Sequence, residues 1–191
     1  MQRRFFQSII AVVVVGAIAL FTQAPAFAVG ERYGPYLLAT LPGGVPLCMD
    51  NPMSTSNGTT MTISTCHGGT NQQWYNEKRD RLSYWTFNRH GSKCLTVKGA
   101  SHSDSAAIIQ YACNDGPNER WIYEPVWAAG NTFTMTIGGR QYTSDKVFRI
   151  KNVNSSRCIT VKDARHVTGN TLLQYNCDSP GINLWVQYPV G

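Results

Sequence analysis

The chain has 191 residues, of which 42% are hydrophobic, 11% aromatic and only 15% charged, a length and core-forming content that suit one compact domain or two small ones. Low charge with five tryptophans excludes intrinsic disorder, and 17 glycines and 9 prolines are too few for a collagenous or low-complexity chain. The formal net charge of +6 is dispersed, and its densest run, Lys78-Arg79-Asp80-Arg81, is broken by an acid, which argues against a nucleic-acid surface.

In chain order, residues 1–28 read as a cleavable secretory signal peptide. Arg3 and Arg4 precede a thirteen-residue apolar run, Ile9 to Phe21, and Ala26-Phe27-Ala28 supplies the small-x-small cleavage site. The run is shorter than the ~20 residues that span a bilayer. Arg3-Arg4-Phe5-Phe6 also fits part of a twin-arginine signal, but so hydrophobic a run favours ordinary secretion. Cleavage after Ala28 removes two arginines and no acids, leaving 15 basic against 11 acidic residues, or +4. No later stretch is apolar enough to insert in a membrane, so the expectation is a soluble extracellular protein.

All six cysteines lie beyond residue 28, and an even count in an exported chain predicts disulfides. Their spacings of 18, 19 and 19 residues pair Cys48 with Cys66, Cys94 with Cys113 and Cys158 with Cys177. Short Cys-x-x-Cys pairs with nearby histidines are absent, so no metal or other cofactor is expected. Trp74, Trp121 and Trp185 each follow the second cysteine of a pair by eight residues. Residues 94–113 and 158–177 align without gaps, with nine identities in 20. The chain is therefore three copies of one unit, about 36–80, 81–127 and 147–190, preceded by a short extension at 29–35.

Short runs such as Val147-Phe-Arg-Ile-Lys151, Cys158-Ile-Thr-Val161 and Leu172-Leu-Gln-Tyr175 are rich in β-branched and aromatic residues, and no segment holds a helical period for three turns. About four strands per copy predict an all-β fold in which the copies share one core and close on themselves to remove sheet edges. One tryptophan per copy is predicted to fill that core. Residues 128–146 interrupt the repeat. Alternation in Thr132–Ile137, then Gly138-Gly139, then Arg140–Thr143 predicts an inserted hairpin on the rim.

With its threefold repeat and the triplets Gln72-Gln73-Trp74, Glu119-Arg120-Trp121 and Asn183-Leu184-Trp185, the chain resembles the ricin B-type lectin family over residues 36–190. Only the first triplet is a literal Gln-x-Trp, yet each keeps a polar side chain two residues before the tryptophan. The resemblance implies a β-trefoil with pseudo-threefold symmetry, and a shallow sugar pocket in each copy. Such a pocket would combine an Asp two residues after the first cysteine, an aromatic two before the second, and an Asn before the Gln-x-Trp. A carboxylate and an amide hold adjacent hydroxyls while a flat ring covers the apolar face of a pyranose.

Carried onto this chain, no copy is complete. Copy one keeps Asp50, Asn71 and Gln72 but has Ser64 for the aromatic; copy two has Tyr111 and Asn118 but Thr96 for the Asp. Copy three has Tyr175, with Thr160 and Ile182 in place of the Asp and Asn. His102 and His166, each eight residues after a first cysteine, read as polar loop residues. No phosphate loop, H-E-x-x-H or G-x-S-x-G motif is present, so the expected activity is binding without catalysis. The expected partners are glycans or polysaccharide, bound weakly and multivalently. The alternative, which the incomplete pockets and the inserted hairpin favour, is a trefoil that binds protein, as toxin receptor-binding subunits do.

Overall fold

The computed structural model describes residues 29–41, 45–126, 130–178 and 183–191. The segment read as a signal peptide, Ile182, and the start of the insertion at 128–129 lie outside them.

Copy one forms β1 (Arg32–Thr40), β2 (Leu47–Asp50), β3 (Thr62–Thr65) and β4 (Gln73–Lys78). Copy two forms β5 (Ser83–Asn88), β6 (Cys94–Val97), β7 (Ile108–Tyr111) and β8 (Arg120–Pro125). The insertion supplies β9 (Phe133–Ile137) and β10 (Arg140–Ser144). Copy three follows with β11 (Val147–Asn152), β12 (Cys158–Val161), β13 (Leu172–Tyr175) and β14 (Trp185–Pro189).

The outer strands of each copy close a ring. β1 pairs with β4, β4 with β5, β5 with β8, β8 with β11, β11 with β14, and β14 with β1, all antiparallel. Closure leaves this barrel without an edge. The inner strands form the hairpins β2–β3, β6–β7 and β12–β13, which are stitched to one another by single bridges, Thr60 to Ile109, Thr62 to Thr171 and Ala107 to Leu173. They cap one end of the barrel, and the result is a β-trefoil.

Trp74, Trp121 and Trp185 are at most 1% exposed and lie in one cluster with Leu38, Met61, Leu95, Ile150 and Ile159. Each indole N–H donates to the carbonyl of the residue after the first cysteine of its own copy: Met49 at 3.0 Å, Leu95 at 2.8 Å and Ile159 at 3.1 Å. A buried indole thus has its one donor satisfied while tying a barrel strand to a cap hairpin. Cys48–Cys66, Cys94–Cys113 and Cys158–Cys177 are bonded, as the spacings predict.

The strand order departs from the sequence reading at the start. β1 begins at Arg32, within the segment read as an extension, because Arg32 and Tyr33 pair with Glu77 and Asn76 of β4. The register then shifts between Tyr33 and Tyr36. Gly34 sits at φ +109°, and a Cβ there would lie 2.8 Å from the Trp74 carbonyl, so glycine is required for the strand to pass.

The inserted hairpin turns through Gly138 and Gly139, both at positive φ, in a two-residue loop of the kind that matches strand twist. Its inner side chains Met135 and Tyr142 face each other across the pair and pack on Leu37, Ala39, Val186 and Tyr188. The insertion therefore builds a second apolar cluster on the outside of the barrel. Among the described residues no helix is long and apolar enough to cross a membrane.

Candidate functional site

The three cap hairpins share one register. Cys48 pairs with Ser64 and Asp50 with Thr62; Cys94 pairs with Tyr111 and Thr96 with Ile109; Cys158 pairs with Tyr175 and Thr160 with Leu173. Because side chains alternate along a strand, the residue two after the first cysteine and the residue two before the second share one hairpin face in every copy. What those positions carry differs.

In copy one, Asp50, Asn71 and Gln72 meet. Asp50 Oδ2 accepts from Gln72 Nε2 at 2.8 Å and from Asn71 Nδ2 at 3.0 Å, with His67 Nε2 at 3.7 Å. Gln72 Oε1 accepts from the backbone N–H groups of His67 and Gly68, so the Gln-x-Trp amide also shapes the loop after Cys66. Burial pushes the Asp50 carboxyl up, opposed by the Gln72, His67 and Asn71 donors. All three of the polar residues are buried and turned largely toward one another. Ser64 adds no ring.

In copy two the carboxylate has crossed the pair. Thr96 stands at the Asp50 position and Glu119 at the Gln72 position. Glu119 is fully buried, and its Oε2 accepts from the Asn114 N–H at 2.8 Å. Burial raises this carboxyl above its usual range. Thr96 Oγ1 donates to the Cys94 carbonyl at 3.2 Å, and Asn118 Nδ2 to the Val97 carbonyl at 3.4 Å. Tyr111, on the same hairpin face as Thr96, is 43% exposed.

Copy three opens into a cleft of about 650 Å³. Tyr175, 40% exposed, forms one wall, and Thr160 and Leu173 lie in it from the same hairpin face. Thr60 and Ala107 reach it from the other two cap hairpins, so the cleft exists only where the hairpins meet. The loop after β12 contributes Lys162 and Asp163. Asp163 and Ala164 both take φ +52°, and this turn sets the exposed Asp163 beside the cleft that lacks an acid at Thr160, as well as beside a second cavity lined by Arg165 and Asn170. Asn183, in the Gln72 position, donates to the Cys177 carbonyl at 2.6 Å and does not reach this cleft.

Sequence reasoning missed Asp163. The internal alignment sets it against Gly99 of copy two, and an acid replacing a glycine beside a pocket that has lost its acid was the available signal. His102 and His166 are exposed loop residues and line no part of the cleft.

The family model of the ricin-type beta-trefoil lectin domain matches residues 43–129, which span copies one and two. The match does not extend to copy three, whose residues 158–177 align without gaps with 94–113 of copy two. Among solved structures, the chain is similar to the designed threefold symmetric protein ThreeFoil, at 24% identity and TM-score 0.68, over 81% of this chain and 99% of that one. It is similar to an exo-beta-1,3-galactanase from Clostridium thermocellum at 22% identity and TM-score 0.67, covering 82% of this chain but only 30% of that enzyme. The Rhizoctonia solani agglutinin matches at 12% identity and TM-score 0.62, over 83% of this chain and 96% of the agglutinin. No curated protein matches the chain.

Proposed function

We propose, from the ricin-type lectin match, that this chain binds carbohydrate without catalysis and that copy three provides its principal site. The observation that carries this reading is the convergence of Tyr175, Thr160 and Asp163 on one open cleft. Tyr175 offers a half-exposed ring to the apolar face of a pyranose, and Asp163 accepts from a pair of sugar hydroxyls in charge-assisted hydrogen bonds, the stronger kind. Leu173 lines the floor. Tyr111 with Thr96 and Asn118, and Asp50 with Asn71 and Gln72, form weaker sites in copies two and one, so that a polymer touching several at once gains avidity. The three disulfides, and the leader-like composition of residues 1–28, support a secreted protein whose sites face extracellular glycans.

A glycan array followed by calorimetry on the purified protein tests this. Saturable binding is expected, lowered about tenfold or more by Tyr175→Ala and by Asp163→Asn. Tyr111→Ala should reduce the number of sites while leaving the tightest one intact. Failure to bind any saccharide overturns the reading and directs attention to protein capture through the β9–β10 hairpin.

A further inference from the structure

Strand alternation places six threefold-related side chains in one layer, at the end of the barrel away from the hairpin cap. Tyr36, Tyr84 and Phe148 stand two residues before the inward-facing Leu38, Thr86 and Ile150. Asn76, Tyr123 and Gln187 stand two residues after Trp74, Trp121 and Trp185. With Tyr33 from the start of β1, they line a cavity of about 240 Å³ on the pseudo-threefold axis.

The walls of this cavity are crossed aromatic rings. Tyr33 and Tyr84 have centroids 6.2 Å apart at 77°, Tyr84 and Tyr123 6.0 Å at 90°, and Tyr123 and Phe148 5.6 Å at 81°. The Tyr123 hydroxyl donates to Asn76 Oδ1 at 3.0 Å and lies 2.9 Å from Thr86 Oγ1, which fixes the deepest wall. A flat guest needs parallel faces, whereas crossed rings enclose a rounded one, and a ring face turned inward offers it the negative side of the π-system. None of the lining residues carries a charge. Glu31, two residues before Tyr33, pushes that phenol up to about 12.

Elsewhere the molecule covers its rings with its own guanidinium groups. Arg32 lies 4.7 Å from the Phe87 centroid and 5.8 Å from that of Tyr75, Arg79 lies 3.7 Å from Trp85, and Arg140 lies 5.0 Å from Tyr142. Among the described residues no guanidinium stacks on the rings of the axial cavity. An uncharged box of rings suits a cationic guest.

We propose that the axial cavity is a second ligand site, separate from the copy-three cleft, that takes a methylated organic ammonium of the choline type. The trimethylammonium group enters between Tyr36, Tyr84 and Phe148. The site does not depend on the saccharide reading.

Titration of the purified full chain with choline and with its neutral isostere 3,3-dimethyl-1-butanol, followed by calorimetry and by the NMR shift of the ligand methyl protons, tests the site. Choline should bind saturably with upfield-shifted methyls, and the alcohol at least about tenfold more weakly. Tyr84→Phe, which keeps the ring, should retain choline binding; Tyr84→Leu should lower it about tenfold. Tyr33→Leu at the rim serves if Tyr84→Leu fails to fold. Tyr175→Ala should leave choline binding unchanged, whatever its effect on saccharide. Equal affinity for the alcohol, binding that survives loss of the ring, or no saturable choline binding overturns the proposal.

Discussion

Gln72 donates its side-chain amide to Asp50 at 2.8 Å, a buried carboxylate–amide pair found in copy one, whereas copy two places a hydroxyl and a carboxylate, Thr96 and Glu119, at the same two positions. The exchange moves the acid from a cap hairpin to the segment that leads into the core tryptophan. It has a thermodynamic consequence. Burial raises the Glu119 carboxyl above its ordinary value of 4.5, so the folded protein holds this proton to higher pH than the unfolded chain does. Its contribution to stability is therefore full below about pH 4.5 and is lost as pH rises through the folded-state value. Glu119→Gln should flatten that decline and raise stability at neutral pH by ~1 kcal/mol, since a neutral amide is less costly to bury than a carboxylate. Thermal unfolding of both proteins across the acid range measures it.

Trp121 is fully buried, and its indole holds the Leu95 carbonyl. Trp121→Ala should cost about 3–5 kcal/mol through lost packing and the cavity left behind. Trp121→Phe keeps most of the volume but strands the carbonyl, for a cost of roughly 1–3 kcal/mol. Urea unfolding would separate the two, and a Trp121→Phe cost near zero would show that the hydrogen bond contributes nothing.

Met135 of the inserted hairpin is 6% exposed against the outer face of the barrel. Met135→Ala should destabilise the protein by about 2–4 kcal/mol, as a core residue does. A loss below ~0.5 kcal/mol would mean that the hairpin is only loosely attached.

The Cys158–Cys177 bond closes a 19-residue loop that carries both Asp163 and the hairpin face of Tyr175. Replacing both cysteines by alanine should lower stability by about 3 kcal/mol. It should also weaken saccharide binding more than the same change at Cys48 and Cys66, and calorimetry on the two double variants compares them.

Much of the fold was legible because it repeats. Fixed spacing from Cys66, Cys113 and Cys177 to a tryptophan marked three equivalent core positions, and Gly138-Gly139 between alternating runs marked the hairpin. The start of β1 was not legible, because Gly34 and the register shift after Tyr33 break the alternation that announces a strand. The candidate site was legible only in part. Tyr175 and Thr160 follow from their offsets to the cysteines, while Asp163 reaches the cleft through a left-handed turn that its sequence neighbourhood does not announce.

The amino-acid order by itself determined the number of copies, the sulfur pairing and the indoles at the centre, because these depend on periodicity within each unit. Only the packing of the three units decided that the copy-three cleft is walled by Thr60 and Ala107 from its neighbours, and that Tyr36, Tyr84 and Phe148 meet around one axis. Those residues are distant in the chain, and what brings them together is closure of the barrel, a long-range event that local patterning does not encode.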